Sequence, residues 1–337
     1  MSISKYIREI GRGKDGARSL SAEQAQDLMT QVLDGRVTDL EVGAFALAMR
    51  IKGETPGELA GFLAATQAHC LAPRPHASAC PAVWLPSYNG ARKLANLTPL
   101  LALLLAREGA PVLVHGPLSE PGRVSTAEIF QALGRPHVDS AAAIELAWQR
   151  GEPAFVPTEV LCPPLARLLA VRRVVGLRNS GHTVAKVLHP AAGAGNAAGH
   201  ATCPATFRVV NHTHPEYAGL LTRFLTETGA NAMLLRGTEG EPVADARRTP
   251  RMDVFCNGER SETLSVPARE GVLTHLPELP RECDVAATAA YIGAVLQGSL
   301  PVPESIALQV SAILRTLDQI GSPTAAPRHV THDETHA

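Results

Sequence analysis

The sequence has few of the features that mark secreted, metal-bound or membrane proteins. Its six cysteines lie far apart, with no C-x-x-C pair and no histidine at zinc-ligand spacing, so neither a disulfide framework nor a zinc site is predicted. The start of the chain lacks a secretory signal pattern, and the longest apolar run, around residues 97–106, is about half a membrane span. These absences predict a soluble cytoplasmic protein with no membrane partner.

A strong net charge is also missing. The formal charge is −1 at pH 7, which argues against a uniformly basic nucleic-acid binder. The charges are unevenly spread, however, because residues 85–190 contain 11 Lys or Arg against 7 Asp or Glu. A basic face is therefore compatible with the composition. Only 4% of residues are aromatic, so core packing is the default interpretation of Trp84, although Trp84 and Tyr88 could stack on bases.

The first 70 residues predict a helical domain. Three S/T-x-x-E/Q boxes, which begin at Ser21, Thr38 and Thr55, each precede a run with apolar residues three or four apart, and Gly35 and Gly53 stand where helices should end. Four short helices make a small core. We therefore expect this domain, residues 1–70, to pack on the rest of the chain or on a second copy.

Residues 71–321 predict an α/β domain. Short apolar strands alternate with capped helices, which is typical of a mostly parallel central sheet. Asn257-Gly258, between two short runs, predicts a hairpin that breaks this rhythm. The remaining residues, 322–337, are rich in proline and polar residues and are interpreted as a flexible tail, although their three histidines could also chelate a metal.

The stretch from Pro86 to Gly109 predicts a strand end, a polar turn and a helix. Thr98 is a suitable N-cap, proline follows at the first helical position, and Gly109 is a suitable stop. Unpaired N–H groups at a helix N-terminus favour anions. The turn is therefore interpreted as a phosphate-binding corner, the alternative being a solvated loop with surface cations. Its polar and basic residues are Asn89, Gly90, Arg92, Lys93 and Asn96.

Several motifs resemble those of a known superfamily. Residues 40–61, Asn96-Leu-Thr98 and His214-Pro-Glu-Tyr217 are similar to anthranilate phosphoribosyltransferase and its relatives of the nucleoside phosphorylase class II fold. Residues 86–93 and 237–241 resemble more closely the YbiB branch of that superfamily. The resemblance implies a small N-terminal helical bundle and a large α/β domain with a mostly parallel sheet. It also implies a homodimer formed through the N-terminal helices.

The chain departs from the transferase pattern where those enzymes hold their donor. The Gly-Thr-Gly-Gly-Asp-Gly loop, whose backbone approaches the diphosphate of phosphoribosyl pyrophosphate, corresponds here to residues 86–91, Pro-Ser-Tyr-Asn-Gly-Ala. Lys-His-Gly-Asn corresponds to residues 114–117, Val-His-Gly-Pro, and the adjacent acids that hold magnesium are absent from residues 239–245. The sequence therefore predicts no cofactor, no metal site and no catalytic residue. Magnesium is expected only if the chain is a transferase.

Cations remain where this machinery is absent. A groove with many cations and no metal ligands suits a phosphodiester backbone, and YbiB proteins are similar in function as sequence-independent nucleic-acid binders. We therefore predict sequence-independent binding of DNA or RNA. The alternative is a phosphoribosyl- or other glycosyltransferase with a modified donor site and an unknown acceptor. The predicted phosphate-binding residues are Asn89, Gly90, Arg92, Lys93, Asn96, Thr98, Arg123, Arg172, Arg173, Arg178, Lys186, Arg247 and Arg248.

Overall fold

The structure, a computed structural model, describes residues 2–13, 15–74, 80–189, 206–269 and 277–321. The predicted tail, residues 322–337, lies outside the described residues. Within these ranges, no helix combines the length and the hydrophobicity that a membrane-spanning segment requires.

The chain begins with four helices, as the sequence predicts. All three capping boxes are present, because the side chains of Ser21, Thr38 and Thr55 accept from the N–H group three residues on, and the side chain at that position bonds back. Gly53, with φ of 80°, ends the third helix in a conformation that favours glycine. The helices are α1 (Ser4–Ile10), α2 (Ala22–Leu33), α3 (Asp39–Lys52) and α4 (Pro56–Gln67).

The rest of the described chain forms one sheet between helices. The strands are β1 (Ala82–Pro86), β2 (Val112–Gly116), β3 (Ala154–Pro157), β4 (Thr206–His212), β5 (Ala232–Arg236), β6 (Met252–Cys256) and β7 (Glu259–Val266). The helices are α5 (Thr98–Arg107), α6 (Thr126–Ala132), α7 (Ala141–Gln149), α8 (Thr158–Leu161), α9 (Pro163–Ala170), α10 (Arg172–Val175), α11 (Ser180–Val187), α12 (Pro215–Glu227), α13 (Val285–Leu296) and α14 (Glu304–Gly321).

The strand order is β3-β2-β1-β4-β5-β6-β7, and the first five strands of this order are parallel. The prediction of a mostly parallel sheet is therefore confirmed. β6 and β7 form the predicted antiparallel hairpin, and Asn257 and Gly258 take φ of 49° and 83° at its turn.

Both faces of the sheet are covered. Trp84 packs with the N-terminal helices, α9, α11 and α12 on one face, whereas its neighbours Val83 and Leu85 pack with α5, α13 and α14 on the other. Trp84 is fully buried, which agrees with the core interpretation. The chain leaves β1 toward β2 on one side and returns through β4 on the other side. In parallel sheets, ligands bind at such a switch point, outside the carboxyl ends of the strands.

Candidate nucleic-acid interface

A buried carboxylate lies at the carboxyl end of β1, in the corner that the sequence predicts to bind phosphate. Glu241 accepts hydrogen bonds at Oε1 from the N–H groups of Asn89 (3.0 Å) and Gly90 (2.7 Å). Its Oε2 accepts from the hydroxyls of Ser87 and Thr98, the latter at 3.2 Å. Burial raises the pKa of Glu241, while these hydrogen bonds oppose that shift. The chain's own carboxylate therefore occupies the position that the sequence predicts for a phosphate.

A second carboxylate from the same turn holds the next part of the loop. Oε2 of Glu239 accepts from the N–H groups of Arg92 (2.8 Å), Lys93 (2.9 Å) and Leu94 (3.1 Å). Partial burial opposes ionisation of Glu239, but these backbone hydrogen bonds lower its pKa below the ordinary value. The backbone of the loop thus faces Glu239, and the side chains of Arg92 and Lys93 are exposed.

Glycine makes this turn possible. Glu239 and Gly240 take φ of 53° and 92°, in the left-handed region. A Cβ on Gly240 would lie 2.8 Å from Nδ2 of Asn89, and one on Gly237 would lie 2.1 Å from the carbonyl oxygen of Glu241. The Gly-Thr-Glu-Gly-Glu sequence of residues 237–241 is therefore the signal that could have predicted the contact.

Asn96 and Thr98 face inward. The sequence predicts Thr98 as an N-cap, but this is wrong: the N-cap is Leu97, and the hydroxyl of Thr98 donates to Glu241 instead. Oδ1 of Asn96 accepts from the N–H of Thr98 at 3.2 Å, and its Nδ2 donates to Thr126 at 2.9 Å. Both predicted phosphate ligands are at most 1% exposed, so they stabilise the corner from within.

Two of the predicted cations donate hydrogen bonds to the loop that follows β1. Nη2 of Arg178 donates to Oδ1 of Asn89, and Cζ of Arg178 lies 5.7 Å from the centroid of the Tyr88 ring. Nη1 of Arg123 donates to the carbonyl oxygen of Gly90 at 3.1 Å. Arg123 and Arg178 are both half-buried. They therefore place positive charge on both sides of the loop while they fix its shape.

The other cations differ in how far carboxylates neutralise them. Arg247 and Arg248 share Asp245, at 2.9 Å and 3.4 Å, and Arg172 lies 3.2 Å from Glu120. These pairs reduce the positive field of their arginines. In contrast, the exposed side chains of Arg92, Lys93 and Arg173 make no ion pair within the described ranges.

A cavity of about 780 Å³ opens beside the loop. Its lining includes Tyr88, His182, Arg172 and Arg173 together with apolar residues of α9. Burial, together with the charges of Arg178, Arg172 and Lys186, lowers the pKa of His182 to about 3. Three of the predicted cations therefore lie near one imidazole. Lys186 also lies 5.8 Å from the centroid of the Tyr217 ring.

The two histidines at this end of the sheet differ. Neither His115 nor His182 has a carboxylate at recognisable spacing in the sequence, which favours buried, hydrogen-bonded side chains for both. His182 is hydrogen-bonded as expected, because its Nδ1 accepts from the N–H of Asn179 at 3.3 Å. For His115 the prediction of a hydrogen bond is wrong, because neither ring nitrogen has a partner among the described residues. Burial lowers the pKa of His115 to about 4, so the ring is neutral at physiological pH.

The carboxylates of this region do not fit a magnesium ion. Magnesium requires octahedral oxygen ligands with free lone pairs. Here the oxygens of Glu241 and Glu239 accept from hydroxyl and backbone donors, and Asp245 is bound by Arg247. In the described part of the chain, no three His, Cys, Asp or Glu residues are grouped so as to hold a metal.

The chain is similar along most of its length to YbiB and to anthranilate phosphoribosyltransferases. Residues 4–70 match a family model described as the glycosyl transferase family, helical bundle domain. The chain is 39% identical to the uncharacterized protein YbiB of Escherichia coli strain K12, over 93% of this chain and 94% of that protein. It is 26% identical to an anthranilate phosphoribosyltransferase of a Nocardioides species, over 90% of this chain and 85% of that protein.

Solved structures share the fold. The anthranilate phosphoribosyltransferase of Saccharomyces cerevisiae in complex with PRPP and Mg superposes with a TM-score of 0.64 at 13% identity, covering 95% of this chain and 89% of that chain. The enzyme from Thermus thermophilus superposes with a TM-score of 0.59 at 20% identity, covering 94% and 97%. The predicted α/β fold with its N-terminal helical bundle is therefore confirmed.

Proposed function

Because the chain belongs to the YbiB-like branch of the anthranilate phosphoribosyltransferase superfamily, we propose that it departs from the transferases and binds nucleic acid without sequence specificity. The observation that carries this proposal is the corner at the end of β1. Glu239 and Glu241 occupy its backbone donors, and Arg92 and Lys93 point outward from the same loop.

A sugar diphosphate would compete with these carboxylates. Diphosphate binding depends on backbone N–H groups that face the ligand, and the N–H groups of Asn89 and Gly90 already donate to Glu241. A diphosphate in the corner would have to displace Glu241 or lie against its charge. Like charges at contact distance repel strongly in a site of low dielectric constant. The geometry therefore favours the binder over a transferase that uses the same corner.

The exposed cations suit a ligand that approaches from solvent. Arg92, Lys93 and Arg173 are exposed, and Arg178, Arg172 and Lys186 lie behind them near His182. Such an arrangement binds a phosphodiester backbone through charge and hydrogen bonds, and these contacts do not read base sequence. The track that we propose consists of Arg92, Lys93, Arg123, Arg173, Arg178 and Lys186, with a smaller contribution from the carboxylate-paired Arg172, Arg247 and Arg248.

We propose that the protein is a homodimer formed through the N-terminal helices. Leu40, Leu47 and Ile51 lie on one face of α3 and are 84%, 46% and 58% exposed. Apolar side chains that recur at this helical spacing and meet solvent are typical of a protein interface. A second copy would cover this face. The compartment that we propose is the cytoplasm, where thiols such as that of the buried, unpaired Cys162 stay reduced.

The test is a titration of labelled oligonucleotides of several sequences, as single-stranded DNA, duplex DNA and RNA, over a range of salt concentrations. We expect similar affinities for different sequences and a linear fall of log K with log salt. An absent or salt-insensitive interaction would contradict the proposal. Release of diphosphate from phosphoribosyl pyrophosphate, with magnesium and a panel of acceptors, would favour the transferase alternative instead.

A further inference from the structure

A second cavity, of about 300 Å³, lies at the opposite end of the sheet from the candidate interface. Thr206 and Arg208 line it from the start of β4, and Asn231 lines it from just before β5. Gln67, near the end of α4, lines it from the N-terminal helices. The cavity therefore lies between the helical domain and the α/β domain, and its volume is at the lower end of the range for ligand pockets.

One of the residues that line the cavity is a buried arginine, Arg208, which has no carboxylate partner among the described residues. Arg208 is 5% exposed and makes no ion pair with any described residue. Its Nη1 donates to the carbonyl oxygen of Val187 at 3.2 Å, but its Nε–H has no acceptor among the described residues. The chain between His189 and Thr206, which both line the cavity, contains no Asp or Glu in its sequence. That segment cannot bring a carboxylate to Arg208.

The groups that do contact Arg208 are weaker partners than an anion. Its Cζ lies 5.9 Å from the centroid of the Phe224 ring, and a ring face and a carbonyl oxygen each carry only partial negative charge. The cavity also lies beside Thr228, at the C-terminal end of α12, whose macrodipole adds a partial negative charge. Burial lowers the pKa of Arg208 to about 10, so its side chain is still protonated at neutral pH. Buried charges in proteins are normally paired.

We propose that this cavity binds a small oxyanion, the carboxylate or phosphate group of a small metabolite, which pairs with the guanidinium of Arg208. The planar fork of arginine matches both groups. Neighbouring polar groups are already oriented: the amide of Asn231 accepts from the N–H of Asn257 at 2.7 Å, and Nε2 of Gln67 lies 3.0 Å from Nε2 of His189. This site does not depend on the proposed nucleic-acid function.

The test is thermal unfolding of the full-length protein with added phosphate or acetate, at constant ionic strength set with chloride. A ligand that binds only the folded state raises the unfolding midpoint in a saturable way. We expect such a rise for the wild type with at least one of the two anions, and which anion acts decides between phosphate and carboxylate. The rise should be clearly smaller in Arg208→Met than in the wild type, because only binding to the cation track proposed above would remain, and it should persist in full in the matched control Arg315→Met, an exposed arginine of α14.

An equal rise in Arg208→Met, or no rise in the wild type with either anion, would overturn the proposal. Should Arg208→Met not fold, crystals of the wild type soaked in selenate provide a second test. An anomalous peak within hydrogen-bond distance of Nε or the Nη atoms of Arg208 would support the site, and its absence would overturn it. The proposal also predicts that Arg208→Met retains the salt dependence of any oligonucleotide binding, so this result is independent of the function proposed above.

Discussion

Replacement of Glu241 by alanine should destabilise the protein because it leaves buried donors without an acceptor. Glu241 is 1% exposed and accepts from the N–H groups of Asn89 and Gly90 and from two hydroxyls. An unsatisfied buried N–H group costs about 1–3 kcal/mol, so the two N–H groups together cost about 2–6 kcal/mol. Removal of the carboxylate also removes the cost of burying its charge, and this gain offsets part of the cost of the unsatisfied N–H groups. We expect a net loss of about 3 kcal/mol in the free energy of unfolding.

Glu241→Gln is the matched variant. The amide oxygen still accepts from both N–H groups, and the hydroxyls of Ser87 and Thr98 can rotate to accept from the new NH₂ group. The loss should therefore be clearly smaller than for alanine. Both free energies are measured by urea denaturation at pH 7. If both variants are as stable as the wild type, or more stable, the carboxylate is not the acceptor that these donors require.

The alanine variant should also be rescued by an added anion. Acetate has the size of the removed group, and the vacated corner retains its donors. Binding at ten times the dissociation constant adds about 1.4 kcal/mol to the free energy of unfolding. The relevant quantity is the excess over the wild-type response, because the cavity at Arg208 is also proposed to bind acetate. Equal responses of Glu241→Ala and the wild type would contradict an anion-binding corner.

Two further predictions concern the histidines and the dimer. The pKa values of His115 and His182 are lowered to about 4 and about 3 in the folded state, so the unfolded state, near pKa 6.5, takes up protons first on acidification. The stabilisation from the two neutral rings should be fully present above pH 6.5, and the free energy of unfolding should fall by about 2 kcal/mol per histidine at pH 5. His182→Asn should reduce the slope of the free energy of unfolding against pH, measured by urea denaturation between pH 7 and 5. An unchanged slope would contradict the burial of a neutral ring. Leu47→Glu on the exposed face of α3 should convert the proposed dimer to monomers in analytical ultracentrifugation. The control is Leu146→Glu, an equally exposed leucine of α7 at 45%; a monomeric wild type would contradict the proposed interface.

Local patterns in the sequence predict most of the helices and strands. Capping boxes and stop glycines depend on residues three or four positions apart, so Ser21, Thr38 and Thr55 mark helix starts that the structure confirms. The end of β1 is different. Thr98 is a residue type that commonly caps helices, but its hydroxyl donates a hydrogen bond to Glu241, which lies 143 residues away in the sequence.

The candidate site could be predicted only in part, because its decisive contacts are long-range. Pattern comparison interprets residues 239–245 as a lost magnesium motif, yet Glu239 and Glu241 contact a loop about 150 residues earlier. Only tertiary structure shows that these acids lie in the corner that the sequence predicts to bind phosphate. Arg208 lies in a run that predicts a buried strand, and nothing in that pattern indicates that its charge lacks a partner.

Arg92 and Lys93 are the exposed cations that we propose to bind a phosphodiester backbone. The direct measurement compares the slope of log K against log salt for a single-stranded oligonucleotide between the wild type and Arg92→Gln/Lys93→Gln. The control, Arg107→Gln/Arg150→Gln, removes the same charge from helix ends that precede β2 and β3, at the opposite end of the sheet. Because the first variant removes two cations that each neutralise a phosphate, its slope should become shallower by about 1.4, and the control should keep the wild-type slope. Equal slopes in all three proteins would contradict the account.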